Sequence, residues 1–193
     1  MISSALNKIG FRIVHFGGCL LLLLLLGSGS ALSLEPLAYG QVGIGGRHEF
    51  TVLRGGLALR AGAGGFIGPI GLEYEATWTA DNTFRLAEFR TFERATNWLS
   101  LQFRIPLHER FAIVLGAGPG LGWIKPPTRA TNGTNRIPSH SFREYIRGQY
   151  VIKDGFFVGL RVDGQHHWQA DIVPSPGHSL AVIVCVGIEF FPL

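Results

Sequence analysis

Period-two alternation runs through the chain from Ala38 to its end, and it marks eight segments. Such alternation places successive side chains on opposite faces of a sheet. The first segment, Ala38 to about Arg47, sets Val42 and Ile44 against Gln41 and Gly43. The second, about Gly55 to Phe66, sets Leu57, Leu59, Ala61 and Ala63 against Ala58, Arg60, Gly62 and Gly64. The third, Gly71 to Thr79, sets Leu72, Tyr74, Ala76 and Trp78 against Glu73, Glu75 and Thr77. The fourth, Asn97 to Leu107, sets Leu99, Leu101, Phe103 and Ile105 against Ser100, Gln102 and Arg104. In the fifth, Phe111 to Ile124, large apolar residues oppose Gly116, Gly118, Gly120 and Gly122. The sixth, Ser141 to Lys153, sets Phe142, Ile146, Tyr150 and Ile152 against Arg143, Tyr145, Arg147 and Gln149. The seventh sets Val158, Leu160, Val162, His166 and Trp168 against Arg161, Asp163, Gln165 and His167. The eighth carries Leu180, Val182, Val184, Val186, Ile188 and Phe190 in one phase.

The connections alternate in length. Gly68-Pro69, His108 to Arg110 and Asp154-Gly155 are short, and Asp-Gly is a tight hairpin signal. The stretches Arg47 to Arg54, Asp81 to Thr96, Pro126 to Ser139 and Gln169 to Gly177 are longer. The stretch Asp81 to Thr96 is polar and charged, and reads as strand extensions with an exposed loop. Short turns at one end and longer loops at the other are the pattern of an outer-membrane barrel.

The beginning of the chain adds a compartment. Lys8 and Arg12 precede the leucine run Leu20 to Leu26, and Gly27 to Ser33 are small residues bar Leu32. This is the order of a secretory signal peptide, with cleavage expected after Ala31 or Ser33. A single transmembrane anchor is the alternative, but the run is short against the ~20 residues a spanning helix needs. The expected division is a signal peptide over 1–33 and an outer-membrane barrel domain over 34–193. Cys19 precedes the leucines, the wrong place for a lipidated cysteine, and Cys185 is then the barrel's only cysteine, so no internal disulfide is expected. Without Lys8 and Arg12, 15 basic residues face 13 acidic ones, in no basic run, which gives no sign of a nucleic-acid partner.

The charges decide which phase faces which way. Arg60, Glu73, Glu75, Arg104, Arg143, Arg147, Arg161, Asp163 and Glu189 nearly all oppose the large apolar phase. A lipid-facing Arg or Lys at mid-membrane costs ~2–4 kcal/mol, and a buried ion needs a partner. The expectation is therefore an all-β fold, an eight-stranded antiparallel transmembrane barrel, with the charges paired in the lumen. Trp78, Trp98, Trp123, Tyr150 and Trp168 lie near segment ends, as an aromatic belt requires, with Trp98 in the lumen phase. A soluble lipocalin-like barrel, apolar inside and charged outside, is the competing arrangement. Eight strands enclose just enough room for side chains, so a wide diffusion pore is not expected.

Candidate chemistry is sparse. No metal-ligand spacing is present, and no cofactor is expected. Adjacent His166 and His167 point to opposite faces of a strand and cannot chelate together. The glycines from Gly116 to Gly120 sit in a strand without a following helix, which leaves room for lumen arginines and not a phosphate loop. Asn132-Gly133-Thr134 matches a glycosylation sequon but reads as a turn.

The closing stretch, His166 followed by Trp168, Gln169, Ala170 and then Pro176-Gly177, resembles the PagL-type lipid A 3-O-deacylases. That family's seventh strand ends His-x-Ser-Asn-Ala, with an Asn-Pro-Gly-x-Glu or similar segment after it. Leu115-Gly116-Ala117-Gly118-Pro119 is also similar to the family's glycine-rich strand, so the likeness covers about the last 85 residues. The resemblance implies a barrel enzyme acting on an acyl chain in the outer leaflet. It puts the catalytic histidine at His166, the serine nucleophile at the place of Trp168 and the acidic member near Ser179. Tryptophan cannot be a nucleophile, so a working site requires a relocated hydroxyl, for which Ser179 is the candidate, with Asp171 to orient the base. The expectation is a deacylase-like barrel with a degenerate site, contacting outer-membrane lipid, lipid A included, as a monomer. The alternative is a structural or surface-binding barrel similar to the transmembrane domain of outer-membrane protein A.

Overall fold

A computed structural model of the chain describes residues 36–49, 54–85, 88–125, 136–169 and 177–190, apart from the side chains of 54, 81–92 and 168–169. The leader expected over 1–33, Asp171, the Asn132 sequon and Ala170 lie outside the described residues. Eight strands follow one another: β1 (Pro36–Glu49), β2 (Arg54–Ile67), β3 (Ile70–Arg85), β4 (Glu88–His108), β5 (Phe111–Lys125), β6 (Ile137–Lys153), β7 (Phe156–Gln169) and β8 (Gly177–Phe190). Each pairs antiparallel with its sequence neighbours, and β1 pairs with β8, so the sheet is a closed barrel. Closure leaves no edge strand with unpaired backbone groups.

The short connections behave as their residues dictate. Asp154 and Gly155 both adopt positive φ, at 50° and 79°, which matches the right-handed twist of the strands they join. Gly68 has φ 61° immediately before Pro69, so glycine supplies the left-handed residue of the β2–β3 turn. The register shifts beside the third short turn, between Pro106 and His108, and beside Asp154-Gly155, between Val151 and Lys153. All eight strands exceed the ~9–11 residues that cross a bilayer at a tilt. The longest is β4, with 21 residues against 16 in β3. Its start at Glu88 and the end of β3 at Arg85 are the strand extensions expected between Asp81 and Thr96. Polar residues there stay in a ladder because each backbone pairs across the β3–β4 hairpin, Arg85 with Glu88 and Ala80 with Glu93.

Facing follows the alternation. Val42, Leu59, Leu72, Leu101, Leu121, Ile146, Leu160, Val184 and their phase-mates are exposed on the outside. Glu73, Glu75, Arg143, Arg147, Arg161 and Asp163 are fully or almost fully buried inside. This is the reverse of a soluble barrel, so the lipocalin-like arrangement is excluded. Tyr150 and Trp78 are exposed outward at opposite ends of the apolar band. Trp98 is not a belt residue. It is 1% exposed, inside the lumen, and the Arg143 guanidinium lies 4.9 Å from its ring centre.

The β5 glycines create space, but aromatic rings fill it first. Gly116 pairs across the sheet with Tyr145, and Gly120 with Trp98. A Cβ at either position runs into the partner's ring. The arginines pack on the far side of those rings: Arg161 lies 3.4 Å from the Tyr145 ring centre, and Arg143 stacks over both Trp98 and Tyr145. Two small apolar clusters share the interior: Leu37, Tyr39, Phe66, Val114, Tyr145 and Phe157, and separately Ala58, Ala181, Ile183 and Cys185.

Candidate functional site

Among the described residues, polar constellations lie across the lumen, inside the loop end and on the outer wall. The first is centred on β3, whose Glu73 and Glu75 point inward from consecutive lumen positions. Glu73 Oε2 accepts hydrogen bonds from Tyr39 (2.7 Å), Gln41 (2.8 Å) and Gln102 (2.9 Å). Its Oε1 receives Arg143 and Arg161, each at 3.0 Å. Glu75 pairs with Arg161 at 2.9 Å, with Arg60 at 3.5 Å and closely with Arg143. Asp163 receives Arg161 Nε at 2.7 Å and Arg60 at close contact. Arg147 completes the layer through Gln41 and through Glu73 at 3.4 Å. Four guanidiniums thus meet three carboxylates, and aromatic faces take part of the remaining positive charge, Arg147 lying 5.0 Å from the Tyr39 ring centre. Strands β1, β2, β3, β6 and β7 all contribute charged or amide groups, so the network ties the wall together across its interior.

The second constellation surrounds His167, inside the loop end. Its Nδ1 lies 2.7 Å from Ser141 Oγ, and its Nε2 lies 2.9 Å from Arg47 Nη2 and 3.3 Å from Ser179 Oγ. Arg47 can only donate, so Nε2 is the accepting nitrogen and Nδ1–H donates to Ser141. Arg47 Nε also donates to Ser179 Oγ at 3.0 Å. A Ser–His contact therefore exists, but Arg47 already occupies the nitrogen that a general base would use. His167 and Ser179 are 1% and 3% exposed, turned away from the outer wall.

The third constellation lies outside. His166 projects from β7 on the apolar face, and the register sets it directly opposite His178 of β8. Their Nδ1 atoms lie 2.8 Å apart, with the rings edge-on at 4.9 Å between centres. On its other side, His166 Nε2 meets Glu144 Oε1 of β6 at 3.4 Å. A carboxylate therefore follows Phe142 and precedes Ile146 in the outward phase of an apolar wall.

The structure does not bring His166 and Ser179 together. Ser179 stands opposite Gln165, so it faces the lumen while His166 faces out. One residue of register separates the two arrangements, and a one-residue step reverses the face. The opposite facing expected for His166 and His167 does hold. Trp168 follows in β7, opposite His140 of β6. Glu144 and His178 are the two residues that the sequence reading passed over. Their signal was available, since both carry polar groups in the phase of large apolar neighbours. Among the described residues, no group of three or more His, Cys, Asp or Glu side chains converges on a metal position.

No protein-family model matches the chain, and no curated protein matches it. Solved structures do. The crystal structure of Neisserial surface protein A is similar at a TM-score of 0.60 and 12% identity, over 80% of this chain and 97% of that one. The N-terminal β-barrel domain of Pseudomonas aeruginosa OprF is similar at 0.51 and 12%, over 79% and 97%. The outer-membrane enzyme PagL also matches, at 0.45 and 12%, over 78% and 98%. At such identities the likeness is one of fold. The chain has the eight-stranded outer-membrane barrel fold, and a closer tie to the PagL-type enzymes has no support from sequence families.

Proposed function

We propose that the protein is a sealed barrel of the bacterial outer membrane, acting as a structural or surface-binding protein through its exterior and loops. The carrying observation is the buried layer of Glu73, Glu75, Asp163 and their arginine partners. Eight strands leave a lumen just wide enough for such side chains, and a surface of exposed Leu, Ile, Val and aromatic side chains matches lipid. In this reading a signal peptide over 1–33 exports the chain. The ends at Pro36 and Phe190 face the periplasm, and the loop end faces out.

The same geometry argues against acyl hydrolysis. Among the described residues, His166 has Glu144 and His178 beside it in place of a hydroxyl, and Ser179 points into the lumen. A nucleophile must lie within hydrogen-bond reach of its base. One observation favours the hydrolase alternative, namely that Glu144 and His166 form a carboxylate–imidazole contact on the lipid-facing side. Expression in a Gram-negative host followed by mass spectrometry of lipid A separates the two. The expected result is an unchanged lipid A mass with the barrel present and heat-modifiable on gels. Loss of one hydroxyacyl chain, abolished by Glu144→Gln or His166→Ala, overturns the structural reading.

A further inference from the structure

We propose that His166 and His178 form a two-imidazole site on the outer wall for a divalent transition-metal ion, with Glu144 orienting the first ligand. Imidazole suits copper, nickel and zinc, and a ligating histidine usually gives its other ring N–H to a carboxylate. Both halves of that arrangement are present. Glu144 Oε1 faces His166 Nε2 at 3.4 Å, so the His166 ring proton sits on Nε2 and its Nδ1 carries a lone pair. That lone pair points at His178 Nδ1, 2.8 Å away.

In the metal-free pair, a single proton on His178 Nδ1 bridges the two nitrogens. A metal ion takes that proton's place once His178 shifts to its other neutral tautomer, so neither imidazole has to become charged. Metal–nitrogen bonds of about 2.0–2.1 Å in a tetrahedral arrangement set the two nitrogens about 3.3–3.4 Å apart. The rings have to part by about half an ångström, which small side-chain rotations supply. The backbone already holds them in register, because residues 166 and 178 are direct partners in the β7–β8 ladder. His178 is the second residue of β8, and His166 stands three residues before the end of β7. The pair therefore lies near the loop end of the wall, where water and lipid headgroups reach it. His166 and Glu144 side chains are 34% and 48% exposed. Two protein ligands leave the remaining coordination positions to oxygen donors from water or lipid phosphate. The site does not depend on whether the barrel is an enzyme or a structural protein.

The probe is Cu²⁺, which binds nitrogen ligands most tightly among the divalent first-row ions. It is added to the full barrel purified in detergent and read by electron paramagnetic resonance. The expected spectrum carries superhyperfine splitting from two nitrogens. It is lost in His166→Gln/His178→Gln, kept in His108→Gln/His140→Gln, and its apparent affinity falls about tenfold in Glu144→Gln. A wild-type measurement covers the case in which the double variant does not fold. Zn²⁺ should protect His166 and His178, and not His108 or His140, from acylation by diethyl pyrocarbonate, as read by peptide mass. An unchanged spectrum in the folded double variant overturns the site. So does Zn²⁺ protection that spares neither His166 nor His178 preferentially.

Discussion

Glu73 shows what a lumen position demands of a single residue. Its carboxylate is shared among Tyr39, Gln41, Gln102, Arg143, Arg147 and Arg161, all buried. Removing it takes one carboxylate partner from each of three buried guanidiniums, Arg143, Arg147 and Arg161. Breaking a buried ion pair by deleting one partner typically costs about 3–5 kcal/mol. Glu73→Ala is therefore expected to lower stability by an amount in that range, measured by urea unfolding in micelles. Arg104→Ala is expected to cost under about 1 kcal/mol, because its pair with Glu189, at 3.2 Å, is partly open to solvent. Equal losses in the two variants contradict a load concentrated on Glu73. The sequence told that Glu73 faces inward, since Leu72 and Tyr74 beside it need lipid. It did not tell which arginines Glu73 meets, because those come from strands about 70 to 90 residues away and depend on closure. Phase, by contrast, was legible along each strand, and it alone separates His166 from Ser179: Ser179 adjoins the outward Leu180 and so faces the lumen, while His166 shares the apolar face.

At the scale of the element, β5 is the strand whose sequence is least replaceable. Gly118 lies against the Leu99 carbonyl and Ser100 Cα of β4, and Gly122 against Ala95 and Thr96. A side chain there meets backbone, which cannot rotate away, whereas at Gly116 and Gly120 it meets a ring. Gly118→Val is expected to prevent closure of the β4–β5 ladder. The readout is loss of the fast-migrating, heat-modifiable band on a semi-native gel. Gly46→Ala on β1 should leave that band intact, because nothing surrounds the position of its Cβ. A normal band in Gly118→Val contradicts the close approach. The eight strands and the turns at Gly68-Pro69 and Asp154-Gly155 were legible because alternation and turn chemistry are local. Extension of β4 beyond Asn97 was legible but its start was not, since Glu88 to Thr96 do not alternate and owe their strand conformation to pairing with β3.

At the scale of the whole molecule, the protein is turned inside out relative to a soluble barrel. The buried charge layer is tolerable because its members are paired, and the apolar exterior because lipid covers it. Glu144, His166 and His178 are polar groups that touch one another on the apolar outer wall, which is why they and not the lumen histidine mark the candidate site. The Cys185 thiol is buried inside, and a Cys19→Ala/Cys185→Ala background lets single spin labels be placed at Leu101→Cys, Ile146→Cys and Val184→Cys. The most direct test is the collision of those labels with oxygen, which partitions into the bilayer core, and with a water-soluble nickel chelate. In the reconstituted barrel all three should be accessible to oxygen and shielded from the chelate. Labels open to the chelate, or shielded from both probes as in a packed interior, contradict a barrel that faces lipid with its apolar side.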